Sequence, residues 1–351
     1  MEKNIAILSG DGIGPEVINQ ALKVLSAIEA RFNHKFNTRF GSVGAVAIDL
    51  TGDPLPQETL QICLDSDAVL FGAIGHPKYD NDPSAPVRPE QGLLKLRKSL
   101  GLFANVRPVT TYQTLLSLSP LKEDKIRGVD FVIYRELTGG IYFGEKGRKE
   151  DIAYDHCVYS REEIARITIL AFEAARLRRK KVTLVDKANV LETSRLWRDE
   201  VKRIAVQYPD IELDFLFVDN AAMQIIQFPS QFDVMLTENM FGDILSDEAS
   251  VITGSMGLLP SASVGSKTSL YEPIHGSYPQ ATGLDIANPM ATILSAAMML
   301  DSFGLHKEAD LIRESVTQLL ESGYGTAELQ LVNNCKCSEI GDMIAAKITA
   351  S

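Results

Sequence analysis

Five apolar runs that do not alternate with polar residues limit what this chain can become: Asn4-Ile5-Ala6-Ile7-Leu8, Ala68-Val69-Leu70-Phe71-Gly72-Ala73-Ile74, Asp130-Phe131-Val132-Ile133-Tyr134, Lys181-Val182-Thr183-Leu184-Val185 and Phe232-Asp233-Val234-Met235-Leu236. A strand with one wet face alternates, whereas one covered on both faces reads as a continuous apolar run. Helical patterns lie between most of these runs, so helices must cover both faces of the sheet and the chain is α/β. With 351 residues there is enough sequence for more than one core, and two domains are expected. No internal repeat or low-complexity tract changes that reading.

Charge removes some functions. Lys and Arg total 35 against 46 Asp and Glu, which argues against general affinity for nucleic acid or an anionic membrane. No apolar run approaches the ~20 residues of a bilayer span, and the opening MEKNIAILSGDG lacks a signal-peptide core. A cytoplasmic enzyme is expected. The four cysteines, Cys63, Cys157, Cys335 and Cys337, lack the partners of a zinc site and read as free thiols.

After the first run, Gly10-Asp11-Gly12-Ile13-Gly14-Pro15 turns the chain into a helix with Pro at its first position, whose buried stripe is Val17, Ala21, Val24, Ile28 and Phe32. This loop lacks the third glycine of the dinucleotide fingerprint, so a plain turn and a phosphate cradle stay open with equal weight. The Gly-rich, aromatic and charged text from Thr138 to Tyr159 suits a β arm.

In FGDILSD, Asp243 and Asp247 are four apart, so a helix puts both carboxylates on one face. Alone they read as solvated acids near a helix start. Asp219, after an apolar strand-like run, would supply a third hard oxygen ligand of the kind Mg²⁺ or Mn²⁺ prefers. Arg97, Arg107 and Arg135 lie in separate segments, and converging guanidinium forks would suit a dicarboxylate. Tyr142 and Lys187 are packing residues or proton carriers on this evidence.

Together the segments GDGIGPE, LFANVRP, RELTGGIYFGE, DKANVL, FGDILSDEAS and EPIHGS resemble the isocitrate/isopropylmalate dehydrogenase family of β-decarboxylating dehydrogenases along essentially the whole chain. The resemblance implies two α/β domains with a central cleft and not a Rossmann fold. A discontinuous cofactor domain would comprise 1–100 and 255–351. A substrate, metal and dimerisation domain would comprise 101–254, with its β arm near 139–158. The implied activity is oxidation of 3-isopropylmalate with NAD and decarboxylation to 4-methyl-2-oxopentanoate, a step of leucine biosynthesis. Asp219, Asp243 and Asp247 would hold Mg²⁺ or Mn²⁺. Arg97, Arg107, Arg135 and Asp219 would bind the malate moiety, with Glu90, Leu93 and Leu94 around the isopropyl group. Tyr142, Lys187 and Asp219 would carry the proton chemistry. A homodimer with shared active sites is implied, Lys187 and Asp219 being donated across it.

For the cofactor, the resemblance implies Ile13, Glu272, His275, Gly276, Ser277, Gln280 and Asn288. Gln280 departs from the family pattern, because NAD users carry an Asp there for the ribose hydroxyls. NADP users carry cationic and aromatic residues that Gln280-Ala281 does not offer, so NAD is expected. Asp285 is read as a loop acid or as a partial replacement for the missing charge. The rival readings are a relative acting on tartrate, malate, homoisocitrate or isocitrate, and a noncatalytic regulatory subunit. The intact Tyr, Lys and Asp set weighs against the latter.

Overall fold

The computed structural model describes residues 1–80 and 86–350, which form two compact units: Met1–Leu102 with Ser255–Ser351, and Phe103–Gly254. In the first unit the strands lie in the order Lys35–Phe40, Glu2–Gly10, Ala68–Ala73, Ser269–Pro273 and Pro260–Gly265, the last pair being antiparallel. Ala68–Ala73 is buried at every position, as its unbroken apolar text requires. The helix Gly14–Phe32 follows the glycine loop with Pro15 in its first turn and buries Val17, Ala21, Val24 and Ile28, while Phe32 is only half-buried. The helix Met290–Ser302 is buried on nearly every side, and Ser295 returns its hydroxyl to the carbonyls of Ala291 and Glu272.

The second unit orders its strands Leu102–Thr110, Asp130–Glu136, Val234–Thr237, Lys181–Asp186 and Glu212–Phe217, with only the first pair antiparallel. Its core includes Phe131, Ile133, Val185, Phe232, Met235, Leu245 and Ile252, with the Phe131 and Phe232 rings 5.8 Å apart. Each such side chain contributes about 1.5–3 kcal/mol on burial. Ser160 and Glu163 form a reciprocal capping box that starts the helix Arg161–Arg176. Between Tyr142 and Tyr159 the chain forms a hairpin, Lys146–Lys149 with Ile152–Asp155, which exposes Ile152 and Tyr154.

All four cysteines are free, and burial pushes the Cys63 and Cys337 thiols up to about 12. No helix among the described residues is long and apolar enough to cross a membrane.

Candidate active site

Pairing in the second unit sets Asn105 opposite Arg135 on antiparallel neighbours, and Arg107, two residues from Asn105, shares their face. The helix Asn239–Thr253 lies on that face. Gly242 allows the approach: a Cβ there would sit 2.3 Å from Thr237 Oγ1 and 2.6 and 2.7 Å from Arg135 Cγ and Cβ. Two arginines on a sheet thus meet two aspartates on a helix.

Arg107 donates from Nη1 to Asp247 (2.9 Å) and Ser246 (2.6 Å), while its Nε is steadied by Asn105 Oδ1 (2.8 Å). Arg135 bonds Asp243 through Nη1, and the Tyr142 hydroxyl donates to the other Asp243 oxygen at 3.0 Å. Burial first, then the Asp243 bond, pushes the Tyr142 phenol above the ordinary tyrosine value. The acids are not at the helix start, since its first turn holds none. They lie in later turns, and the facing arginines offset the repulsion between them rather than the helix dipole.

Lys187 and Asp219 meet elsewhere in this unit. Lys187 follows the strand Lys181–Asp186, its amide bonded to Ser194, and its Nζ reaches Asp219 Oδ1 at 2.6 Å. That bond holds the Asp219 carboxyl below its usual range. Asp219, in the first turn of Val218–Gln227, is largely exposed. Among the described residues of one chain, no three His, Cys, Asp or Glu side chains come together as a metal set, so Asp219 does not join Asp243 and Asp247. Those two offer hard carboxylate oxygens on one helix face, which fits a divalent cation that takes its remaining oxygens from elsewhere.

In the first unit the glycine loop is built for close approach of one backbone to another. A Cβ on Gly10, at φ 69°, would lie 1.9 Å from the Ala73 carbonyl oxygen, and one on Gly12, at φ 57°, would lie 2.0 Å from that of Ser277. Asp11, which the sequence reading passed over, is buried and accepts the amides of Ala45, Val46 and Gly75, with burial raising its pKa. The Ile13 amide bonds the Ser277 carbonyl at 2.8 Å, while its side chain is core, packed with Val17, Ala281, Ala287 and Cys337.

His275 keeps a buried Nε2 without a partner, and burial holds its ring below the ordinary histidine value. Gly276 has open space where a Cβ would go, Ser277 is buried and Gln280 exposed. An orphaned ring nitrogen beside an uncrowded glycine fits a dinucleotide that supplies the missing partner. Asn288 is committed otherwise, caught between Glu328 (2.9 Å) and the Met290 amide (3.0 Å). Asp285 is a loop acid, half-buried and bonded within the fold rather than solvated. Its carboxylate accepts the Ser338 amide (2.8 Å) and hydroxyl (2.6 Å), so it caps the helix Cys337–Ala350.

Arg97 bonds Glu272 at 2.7 Å and keeps a buried Nε without a partner. It lies on the helix Pro89–Ser99, whose core face is Pro89, Gly92 and Leu96. Leu93 is half-buried, Leu94 is 55% exposed and Glu90 is exposed. The two leucines are therefore not core residues of their own helix. The sequence reading also missed Asn239, just before the acidic motif, and Ser246 inside it, neither of which carries a charge to mark it.

A family model described as isocitrate/isopropylmalate dehydrogenase matches residues 4–344, and the chain belongs to that family. Among its relatives, a 3-isopropylmalate dehydrogenase of Bacteroides fragilis (strain YCH46) is 56% identical over 94% of each chain. One of Geobacillus kaustophilus (strain HTA426) is 57% identical, covering 93% of this chain and 89% of its own. Among solved structures, isocitrate dehydrogenase from Methylococcus capsulatus aligns with a TM-score of 0.84 at 34% identity over 99% of both chains.

Proposed function

We propose that this chain is a 3-isopropylmalate dehydrogenase, which oxidises its substrate with NAD and decarboxylates it to 4-methyl-2-oxopentanoate in leucine biosynthesis. The observation that carries the reading is the convergence of Arg107 and Arg135 on Asp243 and Asp247, with Tyr142 on Asp243. A strip with two guanidinium groups and two carboxylates suits a hydroxy diacid together with a divalent cation.

Arg107 and Arg135 bind substrate carboxylates, each charge-assisted bond contributing about 1.5–3 kcal/mol, and so fix the orientation of the hydroxyl-bearing carbon. Arg97 adds a third guanidinium. Asp243, Asp247 and a second copy's Asp219 would hold magnesium or manganese, which would supply positive charge for the substrate hydroxyl, and a bound NAD would serve as the hydride acceptor. The Lys187 and Asp219 region would take up the hydroxyl proton, and the two would serve the site of the other subunit in a homodimer. Tyr142, held protonated by its surroundings, returns a proton to carbon after CO₂ leaves. Leu93 and Leu94 present apolar surface for an isopropyl group and leave a third carboxylate unsatisfied, which favours isopropylmalate over isocitrate.

In the dinucleotide loop, His275, Gly276, Ser277 and Gln280 hold the adenosine end. Gln280 hydrogen-bonds ribose without repelling a 2′-phosphate, so the preference for NAD is narrower than an Asp would give. The test is a panel: NADH and NADPH formation from isopropylmalate, isocitrate, homoisocitrate and tartrate, with and without chelator. Isopropylmalate with NAD is expected to be fastest and metal-dependent. Turnover that survives complete metal removal, or a preference for another acid, overturns the reading.

A further inference from the structure

Asn239 opens the helix that carries Asp243 and Asp247, yet its side chain is not the helix cap, because Glu238 occupies that position. It is 1% exposed, and all of its polar groups are engaged, its two oxygens by Arg135 and its two nitrogens by separate partners. Oδ1 accepts from Arg135 Nη2 at 2.9 Å and Nε at 3.2 Å, and the Asn239 carbonyl accepts from Nε at 2.9 Å. Nδ2 donates to the Gly139 carbonyl at 3.2 Å, and the backbone amide donates to the Tyr159 hydroxyl at 3.0 Å. A guanidinium can only donate and a carbonyl can only accept, so chemistry fixes which way the amide points.

The Gly139 contact leads back to the site. Residues 139 and 140 lie so close to Tyr159 that a Cβ on Gly140, at φ 74°, would fall 2.2 Å from its hydroxyl. Two residues later comes Tyr142, at the end of the short turn Gly140–Tyr142. Arg135 and Tyr142 both bond Asp243, and through Asn239 both are also tied to the start of the same helix. The contacts close a ring in which Asn239 stands opposite Asp243.

We propose that Asn239 is a positioning residue: it fixes which edge of the Arg135 guanidinium is presented and holds the Gly139–Tyr142 segment in register with it. This rests on the isopropylmalate reading for the roles of Arg135 and Tyr142. A neutral amide is the one side chain of this size that accepts from Arg135 and donates to Gly139 at once. Asp at this position keeps the first bond and loses the second, whereas Ala loses both.

The experiment measures kcat and KM separately for full-length wild type, Asn239→Asp and Asn239→Ala, with the pH profile of kcat and the folded fraction by circular dichroism. Asn239→Asp is expected to keep KM for isopropylmalate within about threefold while kcat falls about tenfold. Asn239→Ala is expected to raise KM about tenfold and lower kcat as well. If Asn239→Ala does not fold, Asn239→Asp alone decides. Wild-type kcat per folded molecule in Asn239→Asp, or activity in Asn239→Ala lost only in proportion to folded protein, overturns the inference. A wild type that turns over a different acid of the panel refutes the substrate reading instead, and the same comparison then runs on that acid.

Discussion

Gly242→Ala asks whether the helix really rests on the arginine strand. Alanine favours a helix interior by about 1 kcal/mol over glycine, so a solvent-facing site would gain stability. Here the new methyl would meet Thr237 Oγ1 at 2.3 Å and the Arg135 stem at 2.6 and 2.7 Å. Thr237 is fully buried, and the Arg135 atoms are those next to its backbone, so neither neighbour can swing away. The helix must lift by several tenths of an ångström, and overpacking of that kind costs about 1–3 kcal/mol. The cost outweighs the propensity gain in most of that range, for a net loss of about 1 kcal/mol or, in a chain this long, a thermal midpoint lower by about 1–2 °C. Because the lifted helix carries Asp243 and Asp247 away from Arg135 and Arg107, KM for isopropylmalate should rise severalfold beyond any loss of folded protein. Thermal unfolding and steady-state kinetics on the same preparation check both parts. A variant as stable as wild type with an unchanged KM refutes the close approach and the site built on it.

Asp243→Asn keeps side-chain volume but removes a charged oxygen, so the metal concentration for half-maximal activity should rise by more than tenfold while the midpoint of unfolding moves little. The same change removes an acceptor that holds the Tyr142 phenol up, so the alkaline limb of kcat, above an ordinary tyrosine value of about 10 in wild type, should move down; a limb that stays put detaches Tyr142 from this carboxylate. Leu93→Ser with Leu94→Asn should cut kcat/KM for isopropylmalate by about 10- to 200-fold without lowering stability, since neither leucine is core, and equal efficiency removes both from the pocket. Gln280→Asp should widen the ratio of kcat/KM for NAD over NADP; a wild type that prefers NADP contradicts the cofactor assignment.

Interior strands were legible because their chemistry is local. Ala68–Ala73 and Lys181–Asp186 announce themselves with runs that only double burial explains. Lys35–Phe40 hides because it is an exposed edge, and Leu102–Thr110 because Asn105, Arg107 and Pro108 interrupt its apolar text. The charged members of the site could be singled out, since paired acids and scattered arginines are conspicuous. What joins them could not: Asn239 does its work through Gly139 and Arg135, about a hundred residues away, and nothing in TENMFGD marks it. The bonds of Asp285 were hidden for the same reason, because the amide and hydroxyl it accepts belong to Ser338.

The first unit is assembled from both ends of the chain, and this dictates an order of events during synthesis. The strand Ser269–Pro273 must slot beside Ala68–Ala73, and the helix Gly14–Phe32 is closed by the last helix, with Lys23 on Asp342 and Arg31 on the Ile348 carbonyl. On the ribosome, the 103–254 segment has emerged complete while the first hundred residues still lack two of the five strands of their sheet and the helices Met290–Ser302 and Cys337–Ala350. Joining segments so far apart delays the reward for their entropy until late. The N-terminal strands therefore wait as the aggregation-exposed part of the nascent chain, and a chaperone that shields apolar strands should be found on that segment until translation passes the final helix.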